Sequence, residues 1–310
     1  MSVRQSNLVT GGGVTVHLSH VDKVLFPDEG LRKGDLVDYY RMVAPRMLPY
    51  LRERPLVLGR YPDGITGEAI LQKNASRHFP DWVKRVDVDR LGRGGEVHQV
   101  VCDKPETLLY LANQACVEFH ALLSRVAALY RPDQLVFDLD PPAEEAFDGV
   151  RRCALGLRRL LEEDLGLAVY VMTTGGKGLH VHVPLRADEG FDQVREFARA
   201  VADLMVRGQR GGRIYLDVQR NSYAQMAVAP YSVRARPAAP VATPLYWAEV
   251  DDAKLNPRRF TMRTMGDRLG TTPDPWIGMS RHRRGLAAAR RRLRSLSGEP
   301  LVPAQRPARG

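Results

Sequence analysis

Two aspartates at the end of an apolar segment are the first residues whose type and spacing suggest chemistry. Asp138 and Asp140 stand in the segment VFDLD, which two prolines follow. Side chains at positions i and i+2 of a strand point to the same face. Carboxylates held that close repel each other, and a divalent cation that prefers oxygen ligands, Mg²⁺ or Mn²⁺, relieves the repulsion. The alternative is two loop aspartates with unrelated partners, because an Asp-x-Asp pattern is common.

A glycine-rich segment, TTGGKGLHVH, combines backbone freedom with cationic and hydroxyl side chains. Glycine lets the backbone approach an anion, and successive N–H groups can form an anion-binding concavity. The Thr174 hydroxyl and the Lys177 ammonium group would add contacts to a phosphate, and His180 and His182 share a strand face from which they could reach a triphosphate. The spacing is not that of a P-loop, and a strand follows instead of a helix. The alternative is a glycine hairpin with incidental histidines.

A third carboxylate, Asp217, lies in the apolar strand-like segment RIYLDV, where an unpaired charge would be costly. Arg220, Arg234 and Arg236 follow it and suit bidentate phosphate contacts. A strand-borne aspartate pair, an anion-binding glycine turn and a third aspartate, in that order, are typical of two-metal phosphoryl transfer.

These residues need an alternating set of helices and strands to position them. Apolar spacing predicts helices over 33–51, 106–128, 149–164 and 191–207. The segments PLVLGRY, AILQKN, LVFDLD and RIYLDV are predicted strands, and LAVYVMTTGGKGLHVHVPL is predicted to form two strands around its turn. His120 falls in the second helix, where a surface or capped core histidine is the alternative to a functional one. The pattern predicts an α+β (mixed α/β) body.

Composition limits the class of protein. The chain has 310 residues, of which 44% are hydrophobic and 26% charged, so wholesale disorder is excluded. The three cysteines lie far apart and without zinc-site spacing, which excludes a disulfide scaffold and a structural zinc. The sequence has neither an apolar run of membrane-spanning length nor an apolar signal core at its N-terminus, so we expect a cytoplasmic protein with no membrane partner.

The positive charge is concentrated at one end. The net charge is +10, and residues 279–310 hold nine arginines and one acid, a net +8 that leaves +2 for the rest. We expect a flexible N-terminal arm over 1–15, a catalytic domain over 16–278, and a basic C-terminal helix and tail over 279–310. The helix is predicted to be too basic for the core.

Together these motifs resemble the archaeo-eukaryotic primase superfamily, in which an hhhDhD motif, a Ser/Thr-x-His motif and a strand hD follow in that order. VFDLD, TTGGKGLHVH and YLD match that series. More closely, the blocks FDLDPP, GGKGLHVHVPL and AVAPYSVRARPAAPVATPLYWAEV resemble the polymerase domain of bacterial ligase D, with DKVLFP, KGDLVDYY and RYPDG extending the match. The resemblance covers about residues 14–270 and implies a core of packed β-sheets flanked by helices.

The resemblance also implies a role for each matched residue. The metal-binding aspartates would be Asp138, Asp140 and Asp217, holding two Mn²⁺ or Mg²⁺ ions, and the essential histidines would be His120 and His180. The implied contacts are to the nucleotide for Thr174, Lys177, His180, Arg220 and Arg234, and to a downstream 5′-phosphate for Lys23 and Lys33.

Two positions depart from the family pattern. His20 stands where a small polar residue, commonly Asn, precedes the first lysine by three positions. Ile70 and Leu71 replace an aromatic pair that in relatives stacks on the template.

The implied activity is a repair polymerase or primase that adds nucleotides, preferentially ribonucleotides, to a primer 3′-OH at short gaps or double-strand breaks. The implied partners are gapped or broken DNA with a 5′-phosphate, NTP or dNTP, Ku protein and a separate DNA ligase, in a cytoplasmic, nucleoid-associated location. Two alternatives stay open on the residues alone. A two-metal nuclease or phosphohydrolase would explain the aspartates without the triphosphate cradle, and a non-catalytic DNA-end-bridging module would survive loss of metal.

Overall fold

Two antiparallel sheets, each with its own apolar core, form the body of the protein. The computed structural model describes residues 8–11, 14–90, 94–141, 147–208 and 215–298. The helices in these ranges are α1 (Lys33–Leu51), α2 (Pro105–Asn113), α3 (Phe147–Arg159), α4 (Phe191–Gly208), α5 (Trp247–Val250), α6 (Met265–Thr271) and α7 (Ala287–Ser297). None of them is long and apolar enough to cross a membrane.

The first sheet has six strands, five from the N-terminal half of the chain and one, at its edge, from the C-terminal half. Its strands are β5 (Pro55–Arg60), β6 (Ile70–Gln72), β7 (Arg85–Asp89), β8 (Glu96–Val101), β9 (Cys116–Leu122) and β14 (Met226–Val228). Five of them are hydrogen-bonded in the order β14–β9–β5–β8–β7, and β6 pairs with β5. The buried side of α1, including Leu36, Tyr40 and Met47, packs in the core of this sheet.

The second sheet has five strands, β10 (Gln134–Asp140), β11 (Tyr170–Thr173), β12 (Leu179–Pro184), β13 (Tyr215–Asp217) and β15 (Thr243–Leu245). They are hydrogen-bonded in the order β13–β10–β12–β11–β15. Its core includes Phe137 from β10, Val150 from α3 and Phe197 from α4. The mixed α/β fold class is therefore confirmed.

Two short hairpins precede these sheets. β1 (Leu8–Gly11) pairs with β2 (Val14–His17), and β3 (Val24–Phe26) pairs with β4 (Leu31–Arg32). Part of the expected N-terminal arm, residues 8–11, is thus strand, whereas residues 1–7 and 12–13 lie outside the described residues.

One predicted helix is wrong in its second half. Helix α2 ends at Asn113, and the chain then forms strand β9 through Leu122, so His120 lies on a strand. Ala115 adopts a left-handed φ of 56°, which ends the helix and turns the chain into the strand. The apolar residues matched a helical spacing because both elements are buried almost throughout, and a continuous apolar run does not separate the two periods.

The C-terminal helix also differs from expectation. Leu286, Ala289 and Leu293 are buried in the second core, so the apolar side of α7 is part of that core despite its arginines. Met279 packs with Trp276 in a smaller cluster. Deleting residues 279–310 would therefore remove core side chains, and the tail over 299–310 lies outside the described residues.

A buried ion pair joins the two sheets. Arg54, 2% exposed, precedes β5, and its Nη2 lies 2.7 Å from a carboxylate oxygen of Asp133, 4% exposed, directly before β10. Arg54 Nη1 also donates to the carbonyl of Leu122 at 3.2 Å. Arg125 and Arg283 contact the same carboxylate at 2.8 and 3.2 Å. Burial opposes ionisation of Asp133, but these guanidinium groups hold its pKa below the ordinary value.

We expect Asp133→Ala to lower the free energy of unfolding by about 3–5 kcal/mol, because it leaves Arg54 charged, buried and without its counter-ion. Urea unfolding measures this, with Asp192→Ala as the control variant, since Asp192 is 90% exposed and, within the described ranges, forms its ion pair with its helix neighbour Arg195. Because the pKa of Asp133 is lowered on folding, its contribution should be present above pH about 4 and decline on acidification. Equal destabilisation by the two variants would contradict a structural role for the pair.

Candidate active site

A polar cavity of about 300 Å³ lies where the two sheets meet. Among the described residues, nine of those singled out from the sequence line it: His120, Asp138, Asp140, Thr174, Lys177, His180, Arg220, Arg234 and Arg236. Asp217, Lys23 and Lys33 lie outside this lining. The cavity combines two carboxylates with a larger number of cationic side chains, which suits an anionic ligand that carries or accepts a divalent cation.

Asp138 is the central buried charge of the cavity. On the neighbouring strands it stands opposite His180 of β12 and Asp217 of β13. His180 Nε2 lies 3.3 Å from Asp138 Oδ1, and Arg220 Nε donates to Asp138 Oδ2. Burial alone would raise the pKa of Asp138, but the charge of His180 and the charge and hydrogen bond of Arg220 lower it, so the carboxylate is ionised.

Asp140 lies two residues further along β10, at the mouth of the same cavity. Burial raises the pKa of Asp140, and the negative charge of Asp138 raises it further. Oδ1 of Asp138 is buried and accepts no hydrogen bond from the described residues. Paired carboxylates with an unsatisfied oxygen are the donor set that a hard divalent cation prefers, so the residues present fit such an ion.

Asp217 does not complete a preformed three-carboxylate cluster. Its Oδ1 accepts a hydrogen bond from the backbone N–H of Gln219 at 2.6 Å, although the residue stands directly opposite Asp138. Within the described ranges, no three His, Cys, Asp or Glu side chains are arranged to hold a metal ion. Arg220 pairs with Oδ2 of Asp138, so this oxygen is already occupied, which is one reason why the three carboxylates do not form such a cluster.

The glycine turn between β11 and β12 is shaped by close contacts with β10 and with Arg234. A Cβ on Gly178 would lie 1.9 Å from the carbonyl oxygen of Leu139 and 2.6 Å from Oδ1 of Asp140. Gly175 has a φ of +64°, and a Cβ there would lie 2.8 Å from Cγ of Arg234. The turn therefore brings its backbone against the carboxylates only because these positions are glycine.

Thr174 stabilises this turn from within. Its Oγ1 accepts the backbone N–H groups of Gly176 at 3.1 Å and Gly178 at 3.3 Å, and lies 3.1 Å from the carbonyl oxygen of Gly178. The sequence-based expectation was a hydroxyl directed at a triphosphate. In the structure the hydroxyl is occupied in holding the turn, while the exposed Lys177 at its tip remains available to an anion.

Glu118 was missed by the sequence analysis, although it connects two of the predicted residues. Its Oε2 lies 3.1 Å from His120 Nε2, and its Oε1 accepts from Arg234 Nε at 3.0 Å and from the backbone N–H of Ala235 at 2.9 Å. Burial opposes ionisation, but these partners lower the pKa of Glu118 to about 2. A strand assignment for this segment would have placed Glu118 and His120 on one face.

His182 differs from the expectation that it faces a triphosphate with His180. It is buried, its Nδ1 lies 2.9 Å from Oε1 of Gln134, and its ring packs against Trp276 with centroids 4.7 Å apart. Burial and the nearby His180 lower its pKa well below the ordinary value, so His182 is neutral. It lines a separate small cavity together with Gln134 and Trp276.

Lys23 and Lys33 lie together at a separate place, at the start of α1. The backbone N–H of Lys33 donates to the carbonyl of Lys23 at 2.8 Å. Lys33 is 6% exposed, its Nζ lies 3.3 Å from Ser19 Oγ, and burial with the neighbouring Lys23 lowers its pKa to about 8. Lys23 pairs with Asp63 at 2.9 Å. A buried ammonium beside a second cation favours an incoming anion.

Comparison with known proteins identifies the family. Residues 32–276 match the model of the LigD primase-polymerase domain. The chain is 33% identical over 305 residues to the multifunctional non-homologous end joining protein LigD of Pseudomonas aeruginosa, covering 94% of this chain and 36% of that protein. It is 30% identical over 280 residues to the bifunctional non-homologous end joining protein LigD of Bacillus subtilis, covering 86% and 44%. The chain thus spans less than half the length of these relatives.

The fold agrees with a solved structure of one such domain. The polymerase domain from Mycobacterium tuberculosis ligase D in complex with DNA matches with a TM-score of 0.78 and 30% identity, covering 87% of this chain and 99% of that one. The resemblance inferred from the sequence motifs is thereby confirmed. The chain belongs to the LigD primase-polymerase domain family, a metal-dependent family of DNA-directed nucleotidyltransferases.

Proposed function

We propose that this chain adds nucleotides to a primer 3′-OH at short gaps or double-strand breaks in DNA. The observation that carries the proposal is the cavity itself, in which Asp138 and Asp140 face the cationic side chains of Lys177, Arg234 and Arg236. Carboxylates on one side and cations on the other match a metal-bound nucleoside triphosphate, whereas a DNA-bridging surface has no need of the paired aspartates.

Two Mn²⁺ or Mg²⁺ ions would be held by Asp138 and Asp140, with Asp217 serving the ion nearer the primer terminus. When bound, such ions would supply activation of the attacking 3′-oxygen and neutralisation of charge on the leaving pyrophosphate. Arg220, which pairs with Asp138 in this structure, would be available to the triphosphate if a cation compensated the charge of Asp138 in its place. His180 stays beside Asp138, and Lys177 binds phosphate oxygens at the tip of the glycine turn.

Glu118 fixes the other side of the triphosphate site in this proposal. It holds His120 and Arg234 through its two carboxylate oxygens. Arg234 also donates from Nη1 to the carbonyl of Thr174 at 2.9 Å, so it links the glycine turn to β9. A guanidinium anchored at two points is preorganised to stabilise charge that develops on the transferring phosphoryl group. The proposed preference for ribonucleotides follows from the family resemblance.

Lys23 and Lys33 are proposed to bind the 5′-phosphate on the far side of the gap. A terminal phosphate carries up to two negative charges, which would be matched by the two neighbouring ammonium groups, since Lys33 begins helix α1 and its backbone N–H binds the carbonyl of Lys23. Binding would require Lys23 to leave Asp63 or to share its charge. The distance between this site and the cavity would then set the length of gap that is filled.

The wider setting is proposed from the relatives. Their names place them in non-homologous end joining, so we propose Ku protein and a separate DNA ligase as partners of this chain, and a cytoplasmic, nucleoid-associated location. Primer extension on a gapped duplex, with and without a 5′-phosphate and with each nucleotide type and metal, tests the function. Release of pyrophosphate supports it, and release of a nucleoside monophosphate from the DNA would indicate a nuclease instead.

We expect Asp138→Asn and Asp140→Asn each to lower the rate of nucleotide addition by at least about 100-fold, because a neutral amide cannot hold the divalent cation. Affinity for gapped DNA, measured by fluorescence anisotropy, should change little, since phosphate contacts elsewhere supply it. Asp192→Asn is the control for a lost surface charge. Activity within about tenfold of wild type in the double variant Asp138→Asn/Asp140→Asn would contradict the assignment.

We expect the double variant Lys23→Ala/Lys33→Ala to lose about 10- to 100-fold of the preference for 5′-phosphate over 5′-hydroxyl gaps, the effect of losing charge-assisted hydrogen bonds. Lys84→Ala is a matched control, because Lys84 pairs with Asp103 at 2.9 Å just as Lys23 pairs with Asp63. Anisotropy titrations on the two gap substrates measure the preference. If the double variant discriminates as wild type does, these lysines do not form the phosphate site.

The same preference should depend on pH through Lys33. Its pKa is about 8 in the free protein, so it is protonated below that pH and loses its charge above it. The 5′-phosphate gains its second charge above pH about 6. We therefore expect the preference to be greatest between pH about 7 and 8 and to fall as the pH rises to about 9.5. A preference that is constant from pH 7 to about 9.5 would contradict a role for Lys33.

A further inference from the structure

A second open cavity, of about 680 Å³, lies further along strand β14 from the catalytic cavity. Val228 lines the catalytic cavity and Met226 lines the second one. These residues are two apart on one strand, so their side chains share a face and are separated by about 7 Å. A strand of nucleic acid that leaves the catalytic cavity past β14 would enter the second cavity directly.

Two stacked tyrosines stand beside the wall of this second cavity. The rings of Tyr130 and Tyr223 have centroids 5.1 Å apart and an interplanar angle of 22°. Tyr223 directly precedes Ala224, which lines the cavity, and the Tyr130 hydroxyl donates to the carboxylate of Asp89, another lining residue. Tyr223 is therefore adjacent in sequence to one residue of the cavity wall, and Tyr130 is hydrogen-bonded to another.

The pair is supported from one side and open on the other. Phe191 packs edge-on against Tyr223, with ring centroids 5.8 Å apart. Tyr130 is 59% exposed although its ring rests on Tyr223, so its outer surface faces solvent. A rigid aromatic platform of this kind is suited to stack on another flat ring at little cost in conformational entropy.

The cavity supplies groups for the rest of a nucleotide. Lys73 and Arg90 line it and offer charge to the phosphate backbone, while Leu71, 58% exposed, offers an apolar surface to a base. Cationic side chains together with an exposed aromatic ring are the combination by which proteins bind single-stranded nucleic acid without reading its sequence.

We propose that Tyr130, supported by Tyr223, stacks on an unpaired base of the template strand where that strand crosses the second cavity. The inference rests on the proposed polymerase function and specifies where the single-stranded template lies. Base stacking on the tyrosine pair would supply aromatic contact in a region where Ile70 and Leu71 offer only aliphatic surface.

The test uses a primer–template with an unpaired template extension that carries 2-aminopurine at successive positions, in the absence of nucleotide. Stacking on tyrosine changes the fluorescence of this base. We expect wild-type protein to change it at one or two positions, Tyr130→Ala to abolish that change and weaken binding about 5- to 100-fold, and blunt duplex binding to be unaffected. Tyr246→Ala is the control, because Tyr246 is also exposed but its hydroxyl contacts the carbonyl of Pro273, which lines neither cavity, whereas Tyr130 binds the lining residue Asp89.

Tyr130→Phe tests whether Tyr130 acts through the stacking of its ring or through its hydrogen bond to Asp89. The phenylalanine ring keeps the stacking surface and loses only the hydroxyl, so we expect it to retain the wild-type fluorescence change and affinity. An unchanged signal in Tyr130→Ala, or a loss in Tyr130→Phe as large as in Tyr130→Ala, would overturn the inference. Wild-type protein that shows the stacking signal but adds no nucleotide would contradict the proposed function and still support the template site.

Discussion

Compensation of the buried carboxylate of Asp138 is the constraint on which the active-site region depends. A buried charge is tolerated only when it is paired and hydrogen-bonded, and the two partners of Asp138 come from different segments. His180 approaches from β12, and Arg220 comes from the turn that follows β13. The strand on each side of β10 therefore has to hold its register for the charge to be satisfied. That register also places Asp217 opposite Asp138 and the glycine turn beside Asp140.

A second buried carboxylate connects this region to the other sheet. Glu118 on β9 binds Arg234, and Arg234 reaches across to the backbone of Thr174 in the turn between β11 and β12. Gly59 on β5 leaves room for the side chain of Glu118, since a Cβ at position 59 would lie 2.9 Å from Cβ of Glu118. Together with the Arg54–Asp133 pair, this network fixes one sheet against the other. The cavity keeps its shape because charged residues join its two walls.

The sequence allowed prediction of the parts that depend on local pattern. The helix from Lys33 to Leu51 and the strand that carries Asp138 and Asp140 agree with the structure, because each has a regular period and a clear end signal. The segment after Asn113 was predicted wrongly, since a strand buried on both faces shows no alternation. That error concealed Glu118, whose relation to His120 exists only on a strand. The burial of His182 depends on contacts distant in sequence, with Gln134 and Trp276, which a linear pattern does not contain. The Thr174 hydroxyl bonds locally, to Gly176 and Gly178, but the motif alone does not show that it holds the turn instead of facing a ligand.

The central claim is that the aspartates of β10 hold divalent cations for nucleotidyl transfer. Electron paramagnetic resonance of Mn²⁺ measures this directly, by titrating the ion into protein mixed with gapped DNA and a non-hydrolysable ribonucleoside triphosphate. The account predicts that wild-type protein binds two Mn²⁺ ions more than the DNA and nucleotide alone, and that the double variant Asp138→Asn/Asp140→Asn binds neither at the same concentrations. Equal stoichiometry and affinity in the two proteins would contradict the account.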